Sequence, residues 1–453
     1  MQRIVVAALL AVLAVGALLY SKAEQIVLGA EGYLFGFPLV VMDVTRANAA
    51  LAIGPANQLR RVRQFPDARF RDVVRPNVDT LYTTAFLDMA QGPWVFEMAP
   101  NDRRYEVMPF MDAWTNVFAS PGTRTSGPGG GRYLLAGALW QGTVPAGMAL
   151  LRAPTRMVWL IGRTQTNGVA DYAAVHQLQD GLTLRSLADV QSGRSVDAAA
   201  GATPPPLQPG AAPPPIVQMR AMDVQTFFTR LAQLMVDNPP AAADAPMLRK
   251  LARLGVAPGQ PPQWGLLDQS AVALGRWIAD RKVAQVLQER PRLRGWITPP
   301  GILGNYGTDY NIRAGVAMIG LGANLPADAT YPSASVDSRG KQLEGSRHYR
   351  LHFDKGALPP VKAFWSITAY GPDDFFIDNP LHRHALGDRD PLVYHPDGSL
   401  DLWIQADAPA PERRANWLPV RSGQAFMLNA RLYWPQPAAL DGSWGMPGIE
   451  PVD

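Results

Sequence analysis

Asn305–Tyr331 reads NYGTDYNIRAGVAMIGLGANLPADATY. Between Arg313 and Asn324 every residue is Ala, Gly, Val, Met, Ile or Leu, with no charge. A helix apolar on all sides is a buried helix, so this pattern predicts a central buried helix starting near Tyr306. Tyr306, Asp309, Tyr310 and Arg313 then fall at i, i+3, i+4 and i+7, one above another on a single face. Buried polar groups need partners, so this stripe is either a structural network or the lining of a site.

On both sides of the stretch the pattern changes to short β runs. Upstream, Leu81–Leu87, Trp94–Met98, Tyr105–Phe110, Tyr133–Ala136 and Met157–Ile161 are rich in aromatic and β-branched residues and are separated by Gly, Pro, Asn and Asp. Downstream, Tyr349, Leu351 and Phe353 alternate with polar neighbours, as do Leu400, Leu402 and Ile404, and Ala363–Tyr370 and Ala425–Arg431 are two further strands. Runs of this kind predict antiparallel β domains with one face in the core. The fold expected is mainly β: two antiparallel β-sandwich-like domains joined by an α-helical bridge. Gly 41 and Pro 42 fit that turn-rich plan.

The organisation expected is a signal peptide or anchor at 1–23, an N-terminal β domain with leading helices at 24–190, and a Pro/Ala/Gly-rich linker at 191–220. A helical bridge with the central helix follows at 221–330, then a C-terminal β domain at 331–453. Ala23–Arg60 is interrupted by Gly32, Gly36 and Pro38, which predicts two short helices. In the bridge, Asp223 caps a helix ending at Asn238-Pro239-Pro240, a second helix runs from Ala242 to Leu254, and a third from about Asp268 to Glu289 packs through Val272, Leu274, Trp277, Ile278, Val283 and Val286.

Arg3 is followed by sixteen uncharged residues, Ile4–Leu19, and then by small residues at Ser21 and Ala23. That is the layout of a secretory signal peptide, or of an anchor if uncleaved, so the body is expected in the periplasm, secreted, or tethered to the inner membrane by residues 4–19. Cysteine is absent, which excludes disulfides, thiolate metal sites and a Cys nucleophile. The formal charge of +4 falls to +2 without residues 1–23, and no dense basic stripe exists, so nucleic acid is not an expected partner.

Six motifs, in order, carry a family likeness: Arg75-Pro76-Asn77-Val78-Asp79-Thr80-Leu81-Tyr82, Asp112-Ala113-Trp114-Thr115-Asn116-Val117-Phe118, Asn305-Tyr306-Gly307-Thr308-Asp309-Tyr310, Ala363-Phe364-Trp365-Ser366-Ile367-Thr368-Ala369-Tyr370, Asn416-Trp417-Leu418-Pro419 and Arg431-Leu432-Tyr433-Trp434-Pro435. Together they resemble the bacterial two-part family of domains of unknown function 1254 (first β part) and 1214 (second β part). The resemblance implies two β-sandwich-like domains joined by helices and, commonly, export. It supplies no established activity.

Nucleophilic catalysis has no G-x-S-x-G elbow to support it, and Ser366 reads as a cross-strand hydroxyl. The histidines (His176, His348, His352, His382, His384, His395) and the pairs Asp373-Asp374 and Asp388/Asp390 match no metal-ligand spacing, so no metal site is assigned. The better-supported chemistry uses Tyr, Arg, Asn and Asp. Arg clamps carboxylate or phosphate, and Tyr acts as acid or base when a cation lowers its pKa. The expected catalytic set is Tyr310, Arg313, Asp309 and Tyr306, with Asn77, Asp79, Tyr82, Asn116, Arg163, Asn305 and Trp365 binding substrate and Trp365 or Trp403 stacking sugar rings. The expected function is a carbohydrate-active enzyme, a lyase or hydrolase on anionic sugars or phosphoesters. The alternatives are a non-catalytic glycan- or partner-binding module and a structural module. The substrate would be a small molecule or polysaccharide, with membrane contact only through an uncleaved N-terminal segment. Neither a cofactor nor an oligomeric state follows from the sequence.

Overall fold

One 30-residue helix, α1 (Ala23–Ala52), runs unbroken through the segment expected to form two short ones. The computed structural model describes residues 16–17, 19–52, 54–70, 74–194 and 213–452, so the leader and the linker core lie largely outside the described residues. The glycines are contact points here rather than breaks. A Cβ on Gly32 would lie 2.9 Å from Leu251 and 3.0 Å from Phe228, and one on Gly36 would lie 2.5 Å from Leu231. Pro38 removes one backbone donor, a cost of about 3 kcal/mol in an isolated helix. Complete burial of Tyr33, Phe35, Phe37, Leu39 and Val40 around it offsets that cost. α1 is long and apolar enough to cross a membrane, but most of it is inside the protein.

The short helix Pro215–Ala221 and four further helices pack around it: α2 (Val224–Asp237), α3 (Ala245–Arg253), α4 (Leu266–Gln288) and α5 (Tyr310–Ile319). Asp223 caps α2 by accepting from the Thr226 amide, as its sequence position predicts. α4 runs parallel to α1: Lys22 meets Asp268, Gly29 meets Val272, and Tyr33 meets Asp280. At their crossing a Cβ on Gly275 would lie 2.2 Å from the Ile26 carbonyl, so the two backbones touch. α4 departs from expectation on its outer side. Val272 and Val283 are core, but Trp277, Ile278 and Val286 are exposed.

The first β-rich region holds β1 (Arg60–Arg61), β2 (Thr80–Asp88), β3 (Trp94–Met98), β4 (Glu106–Val107), β5 (Phe110–Asp112), β6 (Val117–Ala119), β7 (Gly131–Gly137), β8 (Ala149–Ala153), β9 (Met157–Gln165) and β10 (Thr183–Ser186). They form two sheets, β1-β2-β9-β5-β6 with β4 beside β9, and β10-β3-β7-β8. Ala85, Leu87, Phe110 and Leu160 of one sheet share a core with Phe96, Tyr133, Leu135 and Leu184 of the other. On the opposite face of β2 and β9, Tyr82 pairs with Arg163, Thr84 with Ile161 and Phe86 with Trp159. Phe86 and Trp159 also join the core of the helical layer.

The second β-rich region holds β11 (Trp296–Ile297), β12 (Ala329–Thr330), β13 (Ser333–Ala334), β14 (His348–Phe353), β15 (Val361–Tyr370), β16 (Ala385–Gly387), β17 (Leu400–Gln405), β18 (Trp417–Pro419), β19 (Met427–Pro435) and β20 (Ile449–Val452). Its sheets are β11-β13-β19-β15-β16, with β12 beside β19, and β18-β17-β14-β20. Named pairs are antiparallel except β7 with β8 and β17 with β18, which are parallel. β17 has no wet face, contrary to its alternating sequence. Asp401 is covered by His352 and His395, and the Trp403 ring by the Arg413 guanidinium.

The central helix starts later than expected, because Asp309 accepts the Ile312 amide at 2.9 Å and sets its start at Tyr310, and it ends at Ile319, inside the apolar run. Tyr306 therefore precedes the helix.

Glu106 on β4 is buried, and burial pushes its carboxyl up to about 7 against an ordinary 4.5. The folded state keeps the proton where the unfolded chain releases it, so stability falls as pH rises from 4.5 to about 7 and is flat above. Glu106→Gln is expected to be more stable than the native protein near pH 8 by about 3 kcal/mol or less, an advantage that shrinks to nothing near pH 4. Urea unfolding at the two pH values checks this.

Candidate functional site

Arg313 on α5 is only 2% exposed and lies among rings: its guanidinium carbon is 5.7 Å from the Phe35 centroid, 5.4 Å from Trp114 and 5.1 Å from Tyr310. Its Nε and Nη2 meet no acceptor among the described residues. These two atoms form the side-on fork with which arginine holds a carboxylate. At Arg124 and Arg156 that fork is filled: Arg124 donates to Asp328 through Nε at 2.6 Å and Nη2 at 3.0 Å, and Arg156 donates to Asp88 at 2.7 and 3.0 Å. Arg313 thus differs from its own chain's paired arginines.

The surroundings are acidic, but each carboxylate is engaged elsewhere. Asp244 accepts the Tyr310 hydroxyl at 2.9 Å and the Ala241 amide. Asp112 accepts the amides of Trp114 and Asn116 and the Asn116 side chain, and burial pushes it up to about 6. This is the turn built by Asp112-Ala113-Trp114-Thr115-Asn116, with Thr115 at φ 70°. Burial also pushes Tyr306 and Tyr310 up to about 12, with Asp244 adding to the effect on Tyr310. Burial lowers the Arg313 pKa, opposed by Asp244, Asp112 and the two phenols.

Of the expected catalytic set, Tyr306, Tyr310 and Arg313 come together, while Asp309 is committed to capping α5. Asn116 joins them, since its Oδ1 faces the Tyr306 amide at 3.4 Å. Sequence reasoning missed Phe35, Trp114, Asp112 and Asp244. Asp112 and Trp114 stood in a quoted motif; Phe35 and Asp244 carried no local signal.

A second polar cluster joins the two β-rich regions and gathers Asn77, Asp79, Tyr82 and Arg163. Asp79 accepts the Ser366 hydroxyl at 2.8 Å, pairs with Arg389, and faces Arg431 Nε at 3.6 Å. Arg431 also donates to the Asn429 side chain, the Arg75 carbonyl and the Tyr370 hydroxyl, and Tyr370 donates to the Pro76 carbonyl. Asn77 accepts the Asp79 and Thr80 amides and donates to the Tyr82 hydroxyl. Arg163 donates to Asn324 and the Gly322 carbonyl and stands 5.2 Å over the Tyr82 ring. Burial raises the Tyr331 and Tyr433 phenols. Its arginines are engaged by protein oxygens, so this cluster is a structural seam.

Two expected site residues join neither cluster. Trp365 is buried in the second β core against Phe353, and Asn305 is exposed on the loop before α5. Ser366 is no simple cross-strand hydroxyl, because it bonds Asp79 across the seam. Among the described residues no group of His, Asp and Glu is placed to hold a metal ion.

The family described as Protein of unknown function (DUF1254) matches residues 56–186, and that described as Protein of unknown function (DUF1214) matches residues 328–437. Among solved structures, the VPA0106 protein of Vibrio parahaemolyticus is similar over 95% of this chain and 100% of its own, at 24% identity and a TM-score of 0.70. An uncharacterized protein from Burkholderia cenocepacia covers 96% of this chain and 93% of its own, at 13% identity and a TM-score of 0.45. No curated protein matches. With both domains in the order its motifs announce, the chain belongs to the two-part DUF1254/DUF1214 family.

Proposed function

We propose that this is an exported envelope protein that binds a small carboxylated or phosphorylated ligand, such as a sugar acid, at Arg313. The observation that carries this reading is the buried Nε/Nη2 fork without a protein acceptor. A charged hydrogen bond at such a fork contributes about 1.5–3 kcal/mol. Phe35 and Trp114 supply apolar walls, and Tyr306 remains a hydroxyl donor at neutral pH.

The lyase chemistry expected from the sequence needs a phenolate base. Both phenols are held above the ordinary tyrosine range, which supports binding ahead of elimination. The uncharged run after Arg3 supports export to the periplasm. The shared cores of the paired sheets support two sandwich-like domains, with the helices as a bridge.

Isothermal titration of the native protein and Arg313→Met with galacturonate, inorganic phosphate and neutral glucose tests the site. An anion is expected to bind the native protein and to lose roughly 10- to 100-fold in affinity in the variant. If neither anion binds and Arg313→Met is markedly less stable than the native protein, the stripe is structural.

Near Arg313, Asp112 and Asp244 are the acids and Tyr306 and Tyr310 the phenols. Asp112 loses its charge as pH falls through about 6, removing a repulsive neighbour of the incoming anion. Affinity for galacturonate is therefore expected to be tighter near pH 5 than near pH 7.5, which titration at the two pH values checks.

Two stability changes separate cap and seam from site. Asp309→Ala is expected to cost about 1 kcal/mol through the lost cap. Asp79→Ala leaves Arg389 and Arg431 without their buried carboxylate and is expected to cost about 3–5 kcal/mol, read by urea unfolding.

A further inference from the structure

We infer that the end of the helical layer formed by Leu19, Tyr20, Leu266 and Leu267 seats in the interface of a lipid bilayer, with the N-terminal run retained as an anchor. Two independent features meet at this end. The first is the uncharged run Ile4–Leu19, which joins the body at Leu19. The chain is helical at Leu19, Tyr20 and Ser21 and, after one turn residue at Lys22, enters α1, with the Ile26 amide bonded to the Lys22 carbonyl at 3.0 Å. Ser21 and Ala23, the small residues expected at a cleavage site, lie within this helical stretch, and Lys22 between them is tied to Asp268 of α4 at 2.6 Å.

The second feature is an apolar surface that the body leaves uncovered. Because α1 and α4 are parallel, the Lys22–Asp268 pair places the first turn of α4 level with residues 19–22. That turn presents Leu266 and Leu267, 82% and 57% exposed, at the level of Tyr20, which is 87% exposed. Single exposed apolar residues are ordinary, but adjacent leucines where an apolar run enters the body are not scattered singles.

Length decides how these features combine. Sixteen residues make about 24 Å of helix against a hydrocarbon core of about 30 Å. The shortfall is about one helical turn. A short span is accommodated by drawing the residues that flank it toward the bilayer. The next turn carries Tyr20, a residue type favoured at the membrane–water interface, and Leu266 and Leu267 stand at the same level. The patch therefore completes the span.

The chain has no cysteine, so one introduced thiol is labelled uniquely. Full-length protein carrying Leu266→Cys or Leu267→Cys, each labelled with a polarity-sensitive fluorophore, would be reconstituted in phosphatidylethanolamine/phosphatidylglycerol vesicles. Leu139→Cys, at an 89% exposed position in the first β-rich region, is the control. The expected result is a blue-shifted emission at 266 and 267 that a lipid-borne quencher reduces, with neither effect at 139. Unshifted emission at 266 and 267 overturns the inference. So does a shift that follows protein concentration rather than lipid, which would place a second copy on the patch. Mass spectrometry of the membrane fraction is a separate check: recovery of a chain lacking residues 1–23 also overturns it.

Discussion

The close approach of other chains to α1 is the constraint on which the rest of the structure depends. A helix apolar on every side has to be covered on every side, and side chains alone would hold its neighbours too far off. Gly29, Gly32 and Gly36 on α1, and Gly275 on α4, remove the Cβ atoms where Val272, Phe228, Leu251, Leu231 and the Ile26 carbonyl come in. Adding a methyl group at any of them would force a backbone or a packed side chain to move. The covered helix then presents Phe35 to Trp114 and Tyr310, with ring centroids 4.7 and 5.2 Å away, and so forms one wall around Arg313. The packing of a core helix and the shape of the candidate site are one arrangement.

Arginine serves two purposes in this chain, distinguished by what its edge meets. Arg124, Arg156, Arg163 and Arg431 donate to oxygens of the protein itself, and they tie loops or regions together. Arg313 has aromatic faces above its plane and, among the described residues, no oxygen at its fork. Desolvation makes such a group costly, and the cost is reduced only in part by the rings and by carboxylates already bonded elsewhere. Natural cores contain few side chains of this kind, which is why the contrast carries more weight than burial alone.

The sequence revealed the elements better than their covering. Short runs of aromatic and β-branched residues identified β2, β3, β7 and β9, and period-two alternation identified β14, because alternation reflects a sheet with one wet face. It failed for β17, where His352 of the neighbouring β14, His395 from the turn just before the strand and Arg413 from the segment just after it cover the alternate positions. The glycines of α1 were read as breaks because a missing Cβ looks the same in sequence whether it ends a helix or admits a neighbour. Tyr310 and Arg313 were legible together because four-residue and shorter spacings are local. Phe35 and Asp244 were not, since they reach the site only through tertiary packing of α1 and of the turn before α3. Asn77, Asp79 and Tyr82 shared one motif and Arg163 was named beside them as substrate-binding, but nothing local distinguished a seam from a ligand cleft.

The seam has a consequence for how the chain comes into being. Asp79 near the start finds Ser366, Arg389 and Arg431 about three hundred residues later, and Arg75 finds Asp374 over a similar span. Loop closure over such distances is slow relative to local contacts. While the chain is being made, the first β-rich region must hold a carboxylate whose cations have not yet arrived. That region is thus an unfinished half rather than a module. Each region closes its own apolar core, and the buried charges of the seam are the part that neither completes alone.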